Sequence, residues 1–278
     1  MTKKIQLWLS RAISLFAECR ISFVKNIIIS WFIKRYKVNM QEASPNAIKD
    51  FINFNDFFTR HLKKAARLIN QESNSIVSPV DGTISQFGRI ESNRLLQAKG
   101  YYYSLKSLLA NNETLTSIFS NGSFVTLYLS PADYHRVHMP FSGHLEQMIY
   151  VPGHLYPVHR RAQTKYAELF TRNERVINLF DTPAGKMCII LVGACLVGSI
   201  ETQWHGAVTP PHLNHIQEWD YFHQAIDMEK GEEVGLFKMG STVIVLFEKN
   251  KVQWLPTIGK EKSILMGTSI GRCQLEKP

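Results

Sequence analysis

The rhythm of hydrophobic and polar positions changes near residue 75. Before it, Ile5, Leu9, Ala12, Ile13 and Phe16 recur at helical spacing among lysines and arginines, with Trp8 beside them, and predict an amphipathic helix. The stretch 44–69 also predicts helix, with Ser44 as N-cap, Pro45 at the first helical position and a break at "NFND" (53–56) that starts a second helix. After it, short β-branched or aromatic runs alternate with Gly, Pro and Asp turns: "GTISQFG" (82–88), "SFVTLYLS" (123–130), "HLEQMIYV" (144–151), "MCIILVGACLVGSIE" (187–201), "VGLFKMG" (234–240) and "STVIVLFE" (241–248). A helical insertion is expected over 104–119, and neither a fixed-period repeat nor a low-complexity tract interrupts the pattern. The expected class is α+β: N-terminal amphipathic helices over 1–69, then a mainly antiparallel, β-rich catalytic core with helical insertions over 70–278.

Charge sharpens the N-terminal half of this picture. Of the net +9, residues 1–39 supply +7, from eight basic residues against Glu18 alone. Basic residues interleaved with Trp8, Phe16, Phe23, Trp31 and Phe32 predict a helix lying on an anionic membrane surface, with a helical hairpin capping the core as the alternative. The longest early apolar run, "IIISWFI" (27–33), is too short to cross a bilayer, which takes about 20 residues. No early run forms a secretory signal, and Cys19, Cys188, Cys195 and Cys273 show no paired spacing, so they are read as free thiols on the cytosolic side.

Three stretches carry candidate chemistry. "SPADYHRVHMPFSGHL" (130–145) gathers Asp133, His135 and His138. The H-x-x-H spacing lacks the glutamate and cysteine of zinc motifs, as does "HLNH" (212–215), so no metal is expected. In an extended segment His135 and His138 point to opposite faces, which suits two separate jobs. "SPVDGTIS" (78–85) places Asp81 before Gly82, ordinary turn chemistry unless the carboxylate stands behind a histidine. "KMGSTVIVLF" (238–247) sets Gly240, Ser241 and Thr242 at the mouth of an apolar strand. That is either a turn entering a strand or a hydroxyl poised to attack the peptide bond before it.

Together with "FNDFFTRHLK" (54–63), "YVPGHLYPV" (150–158), "NERVINLFDT" (173–182), "VGACLVGSIET" (192–202) and "GEEVGLFKMGSTVI" (231–244), these stretches resemble the proteobacterial-type phosphatidylserine decarboxylase proenzyme family along nearly the whole chain. Met239 replaces the family's usual Leu before Gly-Ser-Thr, a volume-conserving change, and nothing is carried over for 210–220. The resemblance implies that Ser241 attacks the Gly240 carbonyl, that elimination cuts the chain into 1–240 and 241–278, and that Ser241 becomes a covalent pyruvoyl cofactor. It further implies that Asp81 and His138 form the relay that deprotonates Ser241, that Asp133 supports it, and that His135 serves decarboxylation. The implied partners are phosphatidylserine, an anionic membrane surface on the cytoplasmic side, and the two self-cleaved chains as a heterodimer, with higher homo-oligomers left open.

Two other classes compete. A serine hydrolase using Ser241, His138 and Asp81 on an external substrate would want its serine in a G-x-S-x-G elbow, and Ser241, in "KMGSTV", does not sit in one. A basic binding module would fit residues 1–39, but no nucleic-acid signature accompanies them, so no nucleic acid is expected. "LMGTSIG" (265–271) mimics the cleavage site, yet too few apolar residues follow it to predict an anchoring strand, and it is read as structural.

Overall fold

The computed structural model describes every residue except 1–15, 99, 196–198, 239–240 and 275–278. The helix expected over 5–13 and the candidate residue Gly240 therefore lie outside the described residues. Helix α1 (Ser22–Tyr36) ends where Lys37 turns left-handed (φ 56°) and its N–H returns to Ile33 O, with Lys34 and Arg35 facing the negative end of the helix dipole. The expectation of helix across 44–69 is met only by α2 (Phe54–Phe58) and a short 3-10 turn at Ile48–Asp50. The restart at "NFND" is real: Asn53 accepts from Asp56 N–H at 2.9 Å, and the Asp56 carboxylate accepts from Ile52 N–H at 2.8 Å, a reciprocal cap. Elsewhere in this stretch tertiary partners override helix propensity: Ala43–Ser44 pairs with His61–Leu62, and Arg67 reaches to Asp81.

The β-rich body follows the predicted runs closely. Its strands include β1 (Gly82–Arg89), β2 (Ser123–Leu129), β3 (Arg136–His138), β4 (Gly143–Val151), β5 (Arg175–Thr182), β6 (Gly185–Gly193), β7 (Ser199–Thr202), β8 (Glu233–Lys238) and β9 (Ser241–Phe247). A nine-stranded antiparallel sheet runs in the order 217–220, β4, β5, β6, β9, β2, β1, 263–264, with 227–228 also on β4. A four-stranded sheet runs 206–209, β7, β8, β3. The insertion over 104–119 is two short helices, Leu105–Leu108 and Glu113–Phe119. Contrary to expectation, Ser269–Cys273 is a strand, paired with 75–77 and 252–254; Ile270 is its buried apolar anchor, and Ser269 Oγ bonds Ser75 Oγ at 2.7 Å.

Two hydrophobic cores result. The large one fills the sheets; all seven residues of β9 are buried, and Val243, Ile244, Val245, Leu246 and Phe247 belong to this core. The smaller one packs α1 on α2 through Ile29, Phe32, Phe51, Phe54, Phe57 and Phe58. Each buried Phe contributes roughly 1.5–3 kcal/mol, which ties the N-terminal helix firmly to the body. Among the described residues no helix is long and apolar enough to cross a membrane.

Candidate active site

Lys238 ends β8 in the smaller sheet, and Ser241 opens β9 in the larger one. On the incoming side β8 lies along β3, pairing Glu233 with His138 and Leu236 with Arg136, and Phe237 N–H donates to His135 O at 3.1 Å. On the outgoing side Ser241 opens β9 between Gly193 of β6 and Leu129 of β2. The chain thus passes within two residues from the strand paired with the histidine-bearing β3 into the middle of the large sheet. Ser241 is fully buried, and among the described residues its Oγ has no hydrogen-bond partner. Leaving a buried hydroxyl unpaired costs about 1–3 kcal/mol, an arrangement that calls for a functional reason.

The loop that leaves β2 beside Ser241 carries the next two candidates. Asp133 closes it by accepting from Ser130 N–H at 2.6 Å, while burial holds its carboxyl above the usual range. His135 is fully buried, its ring 4.1 Å from that of Phe58. Its Nδ1 lies 2.9 Å from Asp133 O, and a carbonyl only accepts, so Nδ1 carries the proton and Nε2 the lone pair. That Nε2 has no partner, and burial presses the imidazole pKa down to about 3.

His138 is fixed in the same tautomer by other groups. Its Nδ1 donates to Gly231 O at 2.8 Å, so Nε2 accepts from Tyr134 OH at 3.0 Å, with the two rings stacked. Burial again lowers the pKa. The two imidazoles therefore engage separate partners.

Asp81 sits in the turn before β1, where its loop meets β3 through His138 N–H donating to Pro79 O at 2.8 Å. Gly82 is required here, because a Cβ would fall 2.4 Å from Tyr128 O. The Asp81 carboxylate accepts from Arg67 Nε at 2.8 and 3.1 Å and from Met266 N–H at 2.8 Å. The side chains of this ion pair are both nearly buried, and Glu42 completes it from the other side of Arg67. Through the register Ser241–Leu129 and Tyr128–Thr83, Asp81 lies two strands from Ser241, roughly 10 Å at the usual strand spacing.

The fold thus brings Asp81, Asp133, His135, His138 and Ser241 to one corner without joining them into a relay. Asp81 is bonded to Arg67 and Met266, and His138 to Gly231 and Tyr134; neither bonds the other, and Ser241 Oγ bonds neither. Sequence reasoning missed Arg67, Tyr134 and Arg60. Arg60 and Tyr134 lie inside the motifs above, but nothing local marks Arg60 as a partner of carbonyls 72 and 73 positions away, or Tyr134 as the group that bonds His138 four residues on.

A family model described as phosphatidylserine decarboxylase matches residues 54–272, and a second, described as PSD, matches residues 6–37. The chain is 46% identical over 270 residues to a phosphatidylserine decarboxylase proenzyme of Ectopseudomonas mendocina, covering 96% of this chain and 94% of that one. It is 47% identical over 263 residues to the proenzyme of that name in Vibrio parahaemolyticus (94% and 92% covered) and 48% over 262 residues to that of Pseudomonas aeruginosa (93% and 90%).

Proposed function

Because the chain belongs to the phosphatidylserine decarboxylase family, we propose that it decarboxylates phosphatidylserine to phosphatidylethanolamine at a membrane surface, using a pyruvoyl group made from its own Ser241. The observation that carries this reading is the Ser241 hydroxyl, fully buried and unpartnered at the crossover between the two sheets. No external substrate reaches such a hydroxyl, whereas the preceding carbonyl is its covalent neighbour, and this disfavours a serine hydrolase.

In the proposed maturation Ser241 Oγ attacks the Gly240 carbonyl, and the peptide C–N bond breaks as the ester C–O bond forms. His138 takes the hydroxyl proton through Nε2, which requires it to exchange the Tyr134 hydroxyl for that of Ser241. The Asp81 carboxylate then favours the imidazolium through its charge, without a hydrogen bond to it, and Asp133 holds the loop. Loss of the Cα proton of Ser241 expels the Gly240 carboxylate, and the resulting dehydroalanine hydrolyses with release of ammonia to leave the ketone. The fit is good: the ketone would begin a strand of seven buried residues, which keeps the 241–278 chain on the 1–240 chain without a covalent link.

Once formed, the pyruvoyl group supplies an electron sink for the carbanion left by departing CO2. His135 is assigned the delivery of a proton to that carbon, which a histidine near neutral pH can supply. In the uncleaved chain it is a neutral acceptor with a pKa near 3, so delivery requires the open, substrate-filled site to raise that value. Membrane attachment is proposed through α1, where Phe23, Ile27 and Trp31 form one exposed apolar stripe at i, i+4, i+8, with exposed Lys34 and Arg35 at its end.

Intact mass under denaturing conditions, with and without borohydride plus an amine, tests the reading. Two fragments with a reducible carbonyl on the smaller support it; a single active 278-residue chain ends it.

A further inference from the structure

Among the described residues, Ser241 Oγ and His135 Nε2 are not the only buried polar atoms without partners at this corner: Arg60 Nε and Nη1 are two more. Arg60 follows α2 and is 4% exposed. Its Nη2 donates to Ala132 O at 3.0 Å and Asp133 O at 3.4 Å. Asp133 O also accepts from His135 Nδ1, so the guanidinium and the imidazole share one acceptor. The Phe57 ring 5.6 Å away and the charges of Asp81, Asp133 and Glu42 favour this guanidinium, but burial outweighs them, and an anion bonded to the two unpaired nitrogens would relieve it.

The substrate brings two anionic groups, a carboxylate and a phosphodiester. The carboxylate loses its charge as CO2 departs, so a cation bound to it would stabilise the ground state more than the transition state. The phosphodiester keeps its charge throughout and is the better match. An access route lies next to this corner. A cleft of about 450 Å³ is lined by Glu18, Arg20, Asn55, Asp56, Thr59 and Lys238, so it touches the residue before Arg60 and the residue two before Gly240. Its Arg20 rim adjoins exposed Ile21 and Phe23, the start of the apolar stripe on α1.

We propose that Arg60 anchors the phosphodiester of the lipid substrate, reached through this cleft once the chain has been cut at residue 240. The inference rests on the proposed decarboxylation and adds to it the residue that recognises the lipid. Neutralising Arg60 by the bound phosphodiester would also relieve its influence on His135, whose pKa the guanidinium helps to hold down.

The test compares wild type, Arg60→Met and Arg60→Lys on soluble dihexanoylphosphatidylserine, after gels confirm that each has cleaved. Dihexanoylphosphatidylcholine serves as competitor, because it has the phosphodiester but neither carboxylate nor primary amine. Arg60→Met is expected to raise KM about tenfold or more, with the loss falling on KM rather than kcat, and to weaken inhibition by the phosphatidylcholine in parallel. Arg60→Lys is expected to recover part of both, and it decides the matter alone if the Met variant does not mature. A fall in kcat at unchanged KM, or inhibition by the phosphatidylcholine equal to wild type, would overturn the assignment. Failure of the wild type itself to cleave or to release CO2 would instead count against the proposed function.

Discussion

The strand that leads into the crossover at residues 239–240 and the strand that leaves it are built differently. β8 sits in the smaller sheet beside the three-residue strand β3, with a register shift at Glu233/Gly235. Its half-buried ends are held by ion pairs, Glu233 to Arg136 at 2.7 Å and Lys238 to Glu201 at 2.5 Å. β9 is buried along all seven residues and paired on both sides in the middle of the large sheet. The contrast suits a cut between them: the upstream end has polar attachments that water can replace, while the downstream end is fixed by packing. Under the proposed maturation, the new carboxylate could withdraw while the residue carrying the ketone stayed in place.

The largest effect expected is loss of the cut itself. Ser241→Ala should give one chain of 31.9 kDa on denaturing gels and no CO2 release. Two fragments from this variant would sink the assignment of Ser241. Next come the two histidines. His138→Ala should stall at the uncut chain, whereas His135→Ala should cut and then decarboxylate about 10²–10⁴-fold more slowly. Equal failure to cut in both variants would remove the division of labour suggested by their separate partners.

A smaller effect measures the two strands directly. Ile244→Ala, at the centre of β9, should cost about 2–5 kcal/mol, the usual range for emptying a packed site. Leu236→Ala on β8, at 9% exposure, should cost about 1–2 kcal/mol. Urea midpoints on the uncut Ser241→Ala background give both values under one two-state unfolding. Equal costs would mean that the two strands are equally fixed and that the contrast has no mechanical meaning.

Local patterning made the β-rich body legible. β9 and β5 are apolar runs bounded by turn residues, and such runs become buried strands whatever their neighbours. Length made 44–69 misleading. Its helical spacing ran past Arg67, whose partner Asp81 is fixed by the tertiary fold and has no signature in the local pattern. The site was legible as a set of residues through family resemblance and illegible as a network. "DYHRVH" names both histidines, but only coordinates show that Tyr134 occupies Nε2 of one and that Asp133 O and Arg60 surround the other. Ser269–Cys273 shows the same limit, since one buried Ile270 and a serine–serine hydrogen bond complete a strand that composition alone does not announce.

Acid should separate the two strands with the least force. β9 contains no titratable side chain, whereas β8 runs beside both histidines. Burial lowers the folded-state pKa of His135 from the ordinary 6.5 to about 3, so between those values the unfolded chain binds more protons than the folded one. Stability from this group is full above about pH 6.5 and falls as the pH drops towards 3; at about pH 5.5 the loss is roughly 1 kcal/mol. His138 shifts in the same direction and adds to it. On the uncut Ser241→Ala chain, amide exchange at about pH 5.5 should rise first in β8 and β3, with β9 following only on global unfolding. His135→Gln, which keeps a polar side chain of similar size without the titration, should flatten the loss. If β9 exchanged as early as β8, acid would be acting on the whole sheet, and the histidines would not be what distinguishes the two strands.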